Sequence, residues 1–212
     1  MAKKRLLSIV LSLFFMFSFV TPAFAASSVS VWYSNKDYVS YTPYDGSYYV
    51  YNLSSSSSFS TSFRSAVSRA SAQWNAVLPI SVSETSFNYA LNYVYGGTRS
   101  KLIAYFPDLS SSSSGLTYPS INENIKPVTV KYNGSSKKVY TLLAGCQMCV
   151  VEVSGRTAAG YKKTAIHEMG HLFGWNGHSS KSTDIMYGYS SEITSLTARD
   201  KAHLKQIYTL FR

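Results

Sequence analysis

Residues 158–178 read Ala-Ala-Gly-Tyr-Lys-Lys-Thr-Ala-Ile-His-Glu-Met-Gly-His-Leu-Phe-Gly-Trp-Asn-Gly-His, and this run decides the architecture. Its apolar residues Ala159, Ala165, Ile166, Met169 and Leu172 recur at helical spacing, which predicts a helix from about Ala158 to Phe173. His167 and His171 stand four apart, so on that helix they share one face, one turn above the other. Two imidazoles so placed can reach one metal ion. Glu168 is rotated about 100° from His167, which sets it beside such an ion rather than on it. There a carboxylate can take a proton from a water that the ion has acidified.

A metal site with three protein ligands needs one more. His178 lies seven residues beyond His171, about 10 Å further along if the helix continued, so the chain must turn back for it to serve. Gly174 and Gly177 make that turn available, because glycine takes positive φ without a Cβ clash. Asp184, 13 residues after His171, is the main rival for the third position, and Glu192, 21 residues after it, is a more distant one. Trp175, between the two glycines, reads as a packing residue. Tyr187 and Tyr189 could offer a hydrogen bond to a developing oxyanion, but in a chain with 18 tyrosines nothing singles them out.

The segment His167-Glu168-Met169-Gly170-His171-Leu172-Phe173-Gly174 resembles the metzincin clan of zinc endopeptidases, the matrixin-like members most closely. Their pattern is H-E-x-x-H-x-x-G-x-x-H followed by a Met-turn. Here Trp175-Asn176-Gly177-His178 is one residue longer before the third histidine. Ser179 and Asp184-Ile185-Met186-Tyr187 look like the residues that follow that ligand and the Met-turn, and Leu196-Thr197 through Asp200 to Tyr208 resembles the closing helix. The resemblance implies a secreted zinc metalloendopeptidase with one catalytic Zn2+ held by His167, His171 and His178. Glu168 would be the general base toward a zinc-activated water, and Met186 the apolar floor. Asp184-Ile185-Met186-Tyr187-Gly188 also resembles the aspzincin arrangement, in which Asp184 would replace His178. A zinc-containing binding protein without turnover is the reading from a different class.

Outward from the motif, the pattern predicts an α+β fold. The outline is one mixed sheet with two long helices and a C-terminal helix, and the resemblance implies a single metzincin-like domain whose twisted sheet is mostly parallel. Phe63, Ala66, Val67, Ala70 and Trp74 mark the first helix, closed by Pro79. The last runs from about Thr197 to Leu210, with Ala198, Leu204, Ile207 and Tyr208 on its buried side. Strands are expected at Val29 to Tyr33, Tyr48 to Asn52, Ile80 to Val82, Tyr89 to Tyr95, Lys101 to Phe106 and Cys149 to Val153. Val128 to Tyr132 and Val139 to Leu143 form a hairpin around Asn133-Gly134. The serine runs Ser54 to Ser58 and Ser110 to Ser114 read as flexible connections.

The ends and the charge complete the reading. Lys3, Lys4 and Arg5, the apolar run Leu6 to Val20 and the pattern Ala23-Phe24-Ala25 mark residues 1–25 as a secretory signal peptide, leaving 26–212 as the catalytic domain. No later stretch is apolar enough to span a membrane. The chain carries a net charge of +10, and without the leader's basic residues 17 basic side chains face 10 acidic ones. They are scattered rather than striped, which argues against nucleic acid; a protein or peptide substrate is what the resemblance implies. In an exported chain Cys146 and Cys149, in Gly-Cys-Gln-Met-Cys, read as a disulfide.

Overall fold

The computed structural model describes residues 34–211 except 44, 133, 134 and 190. The expected signal peptide (1–25), the strand Val29 to Tyr33 and the Asn133-Gly134 turn lie outside the described residues. Strand β2 (Gly46–Asn52) alternates, with Tyr48 and Val50 buried and Tyr49 and Tyr51 on the other face. It pairs in parallel with β3 (Val82–Glu84) and β4 (Asn92–Gly97). β4 pairs in parallel with β8 (Gln147–Val151), and β5 (Gly115–Tyr118) adds an antiparallel edge. The sheet order is β3-β2-β4-β8-β5, mixed and mostly parallel as expected. A second sheet, which the sequence did not announce, joins β1 (Tyr38–Tyr41), β7 (Ser135–Thr141) and β6 (Val128–Tyr132) in the order β1-β7-β6. The antiparallel β6–β7 register brings Tyr132 opposite Ser135, as a two-residue turn requires.

Helices α1 (Ser57–Asn75) and α3 (Ala158–Leu172) pack on one face of the large sheet. Phe59, Phe63, Ala66, Val67, Ala70 and Trp74 of α1 meet Ala165, Ile166 and Met169 of α3 over Val50, Val94, Met148 and Val150. Trp74 Nε1 donates to the Ile166 carbonyl (2.9 Å), which ties the first helix to the turn that precedes the motif. The other face carries a smaller core in which Tyr95, Cys149 and Val151 pack under Leu102, Phe106 and Leu109.

That smaller core explains one departure from the sequence reading. Residues 101–106 are not a strand: α2 (Arg99–Leu102) and the turn after it occupy the region. Leu102 and Phe106 are buried while Ile103 and Tyr105 are exposed, a four-residue spacing that suits a helical turn and not a pleat. Tyr89 belongs to a 3-10 turn, Phe87–Tyr89, and β4 starts only at Asn92. The serine runs are ordered. Ser56 caps α1 by accepting from the Phe59 N–H (3.2 Å), and Arg99 bonds the carbonyls of Ser110 and Ser113. In α4 (Ala198–Phe211) Ala198 is exposed, and Asp200 and His203 join Leu204, Ile207 and Tyr208 on the buried side.

The cysteines are free thiols, not a disulfide. Three residues apart along extended chain, they point to opposite faces of the sheet, Cys146 into the larger core and Cys149 into the smaller. An extended span of three residues puts Cα atoms about 10 Å apart, beyond the reach of about 7 Å that a disulfide allows. Burial raises both thiols, Cys149 to about 12. Denaturing the chain without reductant should release two titratable thiols per molecule in a colorimetric thiol assay; none would contradict this arrangement.

His203 is fully buried with its ring against Trp175, centroids 3.9 Å apart. Burial, assisted by Lys137, lowers its pKa to about 3. The unfolded chain takes up this proton below about 6.5 and the native state does not, so stability present above that pH drains away as pH falls toward 3. The expected slope from this one group is about 1.4 kcal/mol per pH unit. In denaturant melts between pH 6 and pH 4.5, His203→Gln should show a shallower loss than the wild type by about that slope. Parallel slopes would exclude His203 as the source.

Candidate metal centre

Thr157 starts α3 by accepting the Gly160 N–H (3.0 Å), and the helix ends in a glycine-dependent turn. Gly174 has φ +110°; its N–H donates to the His171 carbonyl (2.9 Å) and the Trp175 N–H to the Gly170 carbonyl (3.0 Å). A Cβ on Gly174 would collide with the Ser40 carbonyl, so strand β1 seats directly on this turn. Gly177 supplies a second positive φ, +81°. The chain thereby doubles back, and the extra residue before His178 is absorbed in the loop.

The result brings His167, His171 and His178 together, with one ligating atom from each within 4.8 Å of the others. His167 Nδ1 lies 2.8 Å from the Ile185 carbonyl and His171 Nδ1 2.6 Å from the Trp175 carbonyl. Carbonyl oxygens only accept, so both Nδ1 atoms carry the proton and both Nε2 atoms are bare. Those bare nitrogens face each other at 3.1 Å. Two lone pairs opposed at that distance repel unless a cation sits between them. Tetrahedral zinc with Zn–N near 2.0–2.1 Å separates its nitrogen ligands by about 3.3 Å, so the residues present fit this ion. Burial and the neighbouring basic groups keep the imidazoles neutral: His167 falls well below its ordinary value, His171 to about 4, and His178 is lowered too. Neutral imidazole is the form a metal needs.

Glu168 is buried, and burial raises its carboxyl to about 7 against the opposing pull of Thr117 and Lys163. Thr117 Oγ1, on edge strand β5, donates to Glu168 Oε2 (2.7 Å). Gly115 on the same strand has no side chain because a Cβ there would lie 2.7 Å from the Glu168 carboxylate. Sequence reading had no strand at 115–118 and therefore missed Thr117; its only signal was the short Gly-Leu-Thr-Tyr run after the serines. Lys163, one turn before His167, was also missed. It is buried, its Nζ bonds the Tyr187 carbonyl (2.9 Å), and burial lowers it to about 8.

Met186 is fully buried, and its Sδ lies where a Cβ on Gly170 would need to be, so the methionine packs under the helix between the two ligands. Asp200 holds this turn from α4, accepting the N–H groups of Ile185 (3.0 Å) and Met186 (3.2 Å). Asp184 is committed elsewhere. Fully buried, it accepts from Ser179 Oγ (2.6 Å), Thr197 Oγ1 (3.0 Å) and Arg199 Nη2 (2.8 Å), and it is not in the histidine cluster. Glu192 is exposed and likewise outside the cluster. Trp175 is buried, as expected of a packing residue, and Tyr189 is exposed.

A helix carrying two histidines and a glutamate, a third histidine returned by a glycine turn and a methionine beneath them define a metzincin-type zinc site. The matrixin family model matches residues 110–209, from the last serine run into the last turn of α4, and over that stretch the chain is similar to the matrixin zinc metallopeptidases. No curated protein matches the chain.

Proposed function

We propose that the chain is an exported zinc endopeptidase that hydrolyses peptide bonds with Glu168 as general base. The observation that carries this is the opposed pair of bare Nε2 atoms of His167 and His171, with the Glu168 carboxylate held on the same helix. Zinc, when bound, supplies Lewis acidity that polarises the scissile carbonyl and lowers the pKa of water. His167, His171 and His178 would hold it. Glu168, oriented by Thr117, takes the proton from the attacking water and returns it to the leaving amine. β5 is the edge of the large sheet, and an extended peptide added along that edge would lie beside Glu168, its backbone paired by main-chain hydrogen bonds. Export is supported by the basic, apolar and Ala-Phe-Ala pattern of residues 1–25; among the described residues no helix is long and apolar enough to cross a membrane.

The test is hydrolysis of casein and of a mixed peptide library by chain purified from the culture medium. Cleavage that a chelator stops and stoichiometric zinc restores would support the reading. A zinc-loaded chain that cleaves neither substrate would instead indicate a zinc-binding protein without turnover.

A further inference from the structure

The structure assigns to Asn35 the positioning of the third metal ligand: it clasps the backbone of His178 from both sides. This rests on the proposed zinc site and concerns how that site is kept in shape. Two of the three histidines have an oriented ring, since His167 and His171 each give Nδ1–H to a backbone carbonyl. Among the described residues the His178 ring has no such hydrogen-bond partner; it leans on the rings of His167 and His171 and lies against Gly188, contacts that do not orient it as a carbonyl would. Its place must therefore come through its backbone, yet the loop that carries it contains Gly177, with a φ of +81° that favours glycine alone.

Asn35 supplies the missing constraint. The His178 N–H donates to Asn35 Oδ1 (2.8 Å), and the Asn35 N–H donates to the His178 carbonyl (3.2 Å). A Cβ on Gly177 would run into Asn35 Oδ1, so the amide fills the space that glycine leaves. The neighbouring residues extend the grip. Ser34 Oγ bonds the Asn176 carbonyl, the Ser40 N–H donates to the Gly174 carbonyl (2.9 Å), and Asn176 Nδ2 donates to Ser40 Oγ (2.7 Å). The segment 34–40 thus splints the whole 174–178 loop, and Asn35 is the residue of that splint bonded to the ligand itself. Outer partners that orient ligands are worth about 10–100-fold in metal affinity, and Asn35 acts in that way through backbone rather than ring.

The experiment is zinc affinity of the full chain, measured by competition with a chromophoric chelator, for wild type, Asn35→Ala, Asn35→Asp and His178→Ala. Unfolding of each zinc-free protein is measured alongside. Asn35→Ala should bind zinc about tenfold more weakly. Asn35→Asp, which keeps the acceptor oxygen, should bind within a few-fold of wild type. A general structural role would lower zinc-free stability and leave the affinity ratio alone, or weaken both Asn35 variants equally; either result overturns the inference. His178→Ala separates this from failure of the site itself. If that variant binds zinc as tightly as wild type, the ligand assignment is wrong; if it binds weakly while Asn35→Ala does not, only the clasp is.

Discussion

Glu168→Gln should lower kcat/KM on a peptide substrate by about 10²–10⁴-fold while the purified variant keeps one zinc per chain. The amide is nearly isosteric with the carboxyl, so the buried pocket against Gly115 and Thr117 stays filled, and the Thr117 hydroxyl still finds an acceptor oxygen. What is lost is the capacity to take a proton. Burial also makes the native carboxylate costly, as its rise to about 7 records, so replacing it by a neutral group should not destabilise the fold. Thermal unfolding of the variant is expected at or above the wild-type temperature. Loss of zinc together with activity would mean that Glu168 shapes the site instead of acting in the chemistry. Unchanged kcat/KM would remove the general-base role altogether.

The parts of this fold that were legible in the sequence are those where a short-range pattern has one structural solution. The three- and four-residue spacing of Phe63, Ala66, Val67, Ala70 and Trp74 buries one stripe of α1, which Phe59 extends, and no other element satisfies it. His167, Glu168 and His171 were readable because helix geometry alone sets their relation. The third ligand was less so. Nothing local in Gly-Trp-Asn-Gly-His fixes the direction of the return, which depends on β1 and the residues before it packing on the loop, 134 positions or more away in the chain. Strand β5 was hidden for a related reason. Its four residues carry no alternating buried face of their own, and their conformation is set by pairing with β8 and contact with Glu168. The cysteine reading went the other way: export suggested a disulfide, but strand pleating sends the two side chains to different cores.

His178→Ala and Asp184→Ala should fail in opposite ways, which makes the pair a sharper test of the third ligand than either alone. Asp184 is fully buried and surrounded by donors, with a bond to Arg199 at 2.8 Å and to Ser179 at 2.6 Å. Its removal strands those donors at the joint between the methionine turn and α4, a loss of about 3 kcal/mol, toward the lower end for buried pairs because Arg199 is partly exposed. Its carboxylate contributes nothing to the cluster, so whatever Asp184→Ala protein folds should still bind one zinc and still gain stability from it. His178 has the reverse profile. The residue is exposed overall, its ring only leans on His167, His171 and Gly188 and has no hydrogen bond to lose, and its deletion should leave zinc-free unfolding within about 0.5 kcal/mol of wild type. Zinc binding, however, loses one of three ligands, a greater defect than the 10–100-fold cost of disturbing an outer partner. Because binding to the native state stabilises it by RT ln(1 + [L]/Kd), the zinc-induced rise in Tm reads affinity directly. It should be retained in Asp184→Ala on a lowered baseline and largely vanish in His178→Ala on an unchanged one. A rise that vanishes with Asp184 and survives loss of His178 would overturn the three-histidine site.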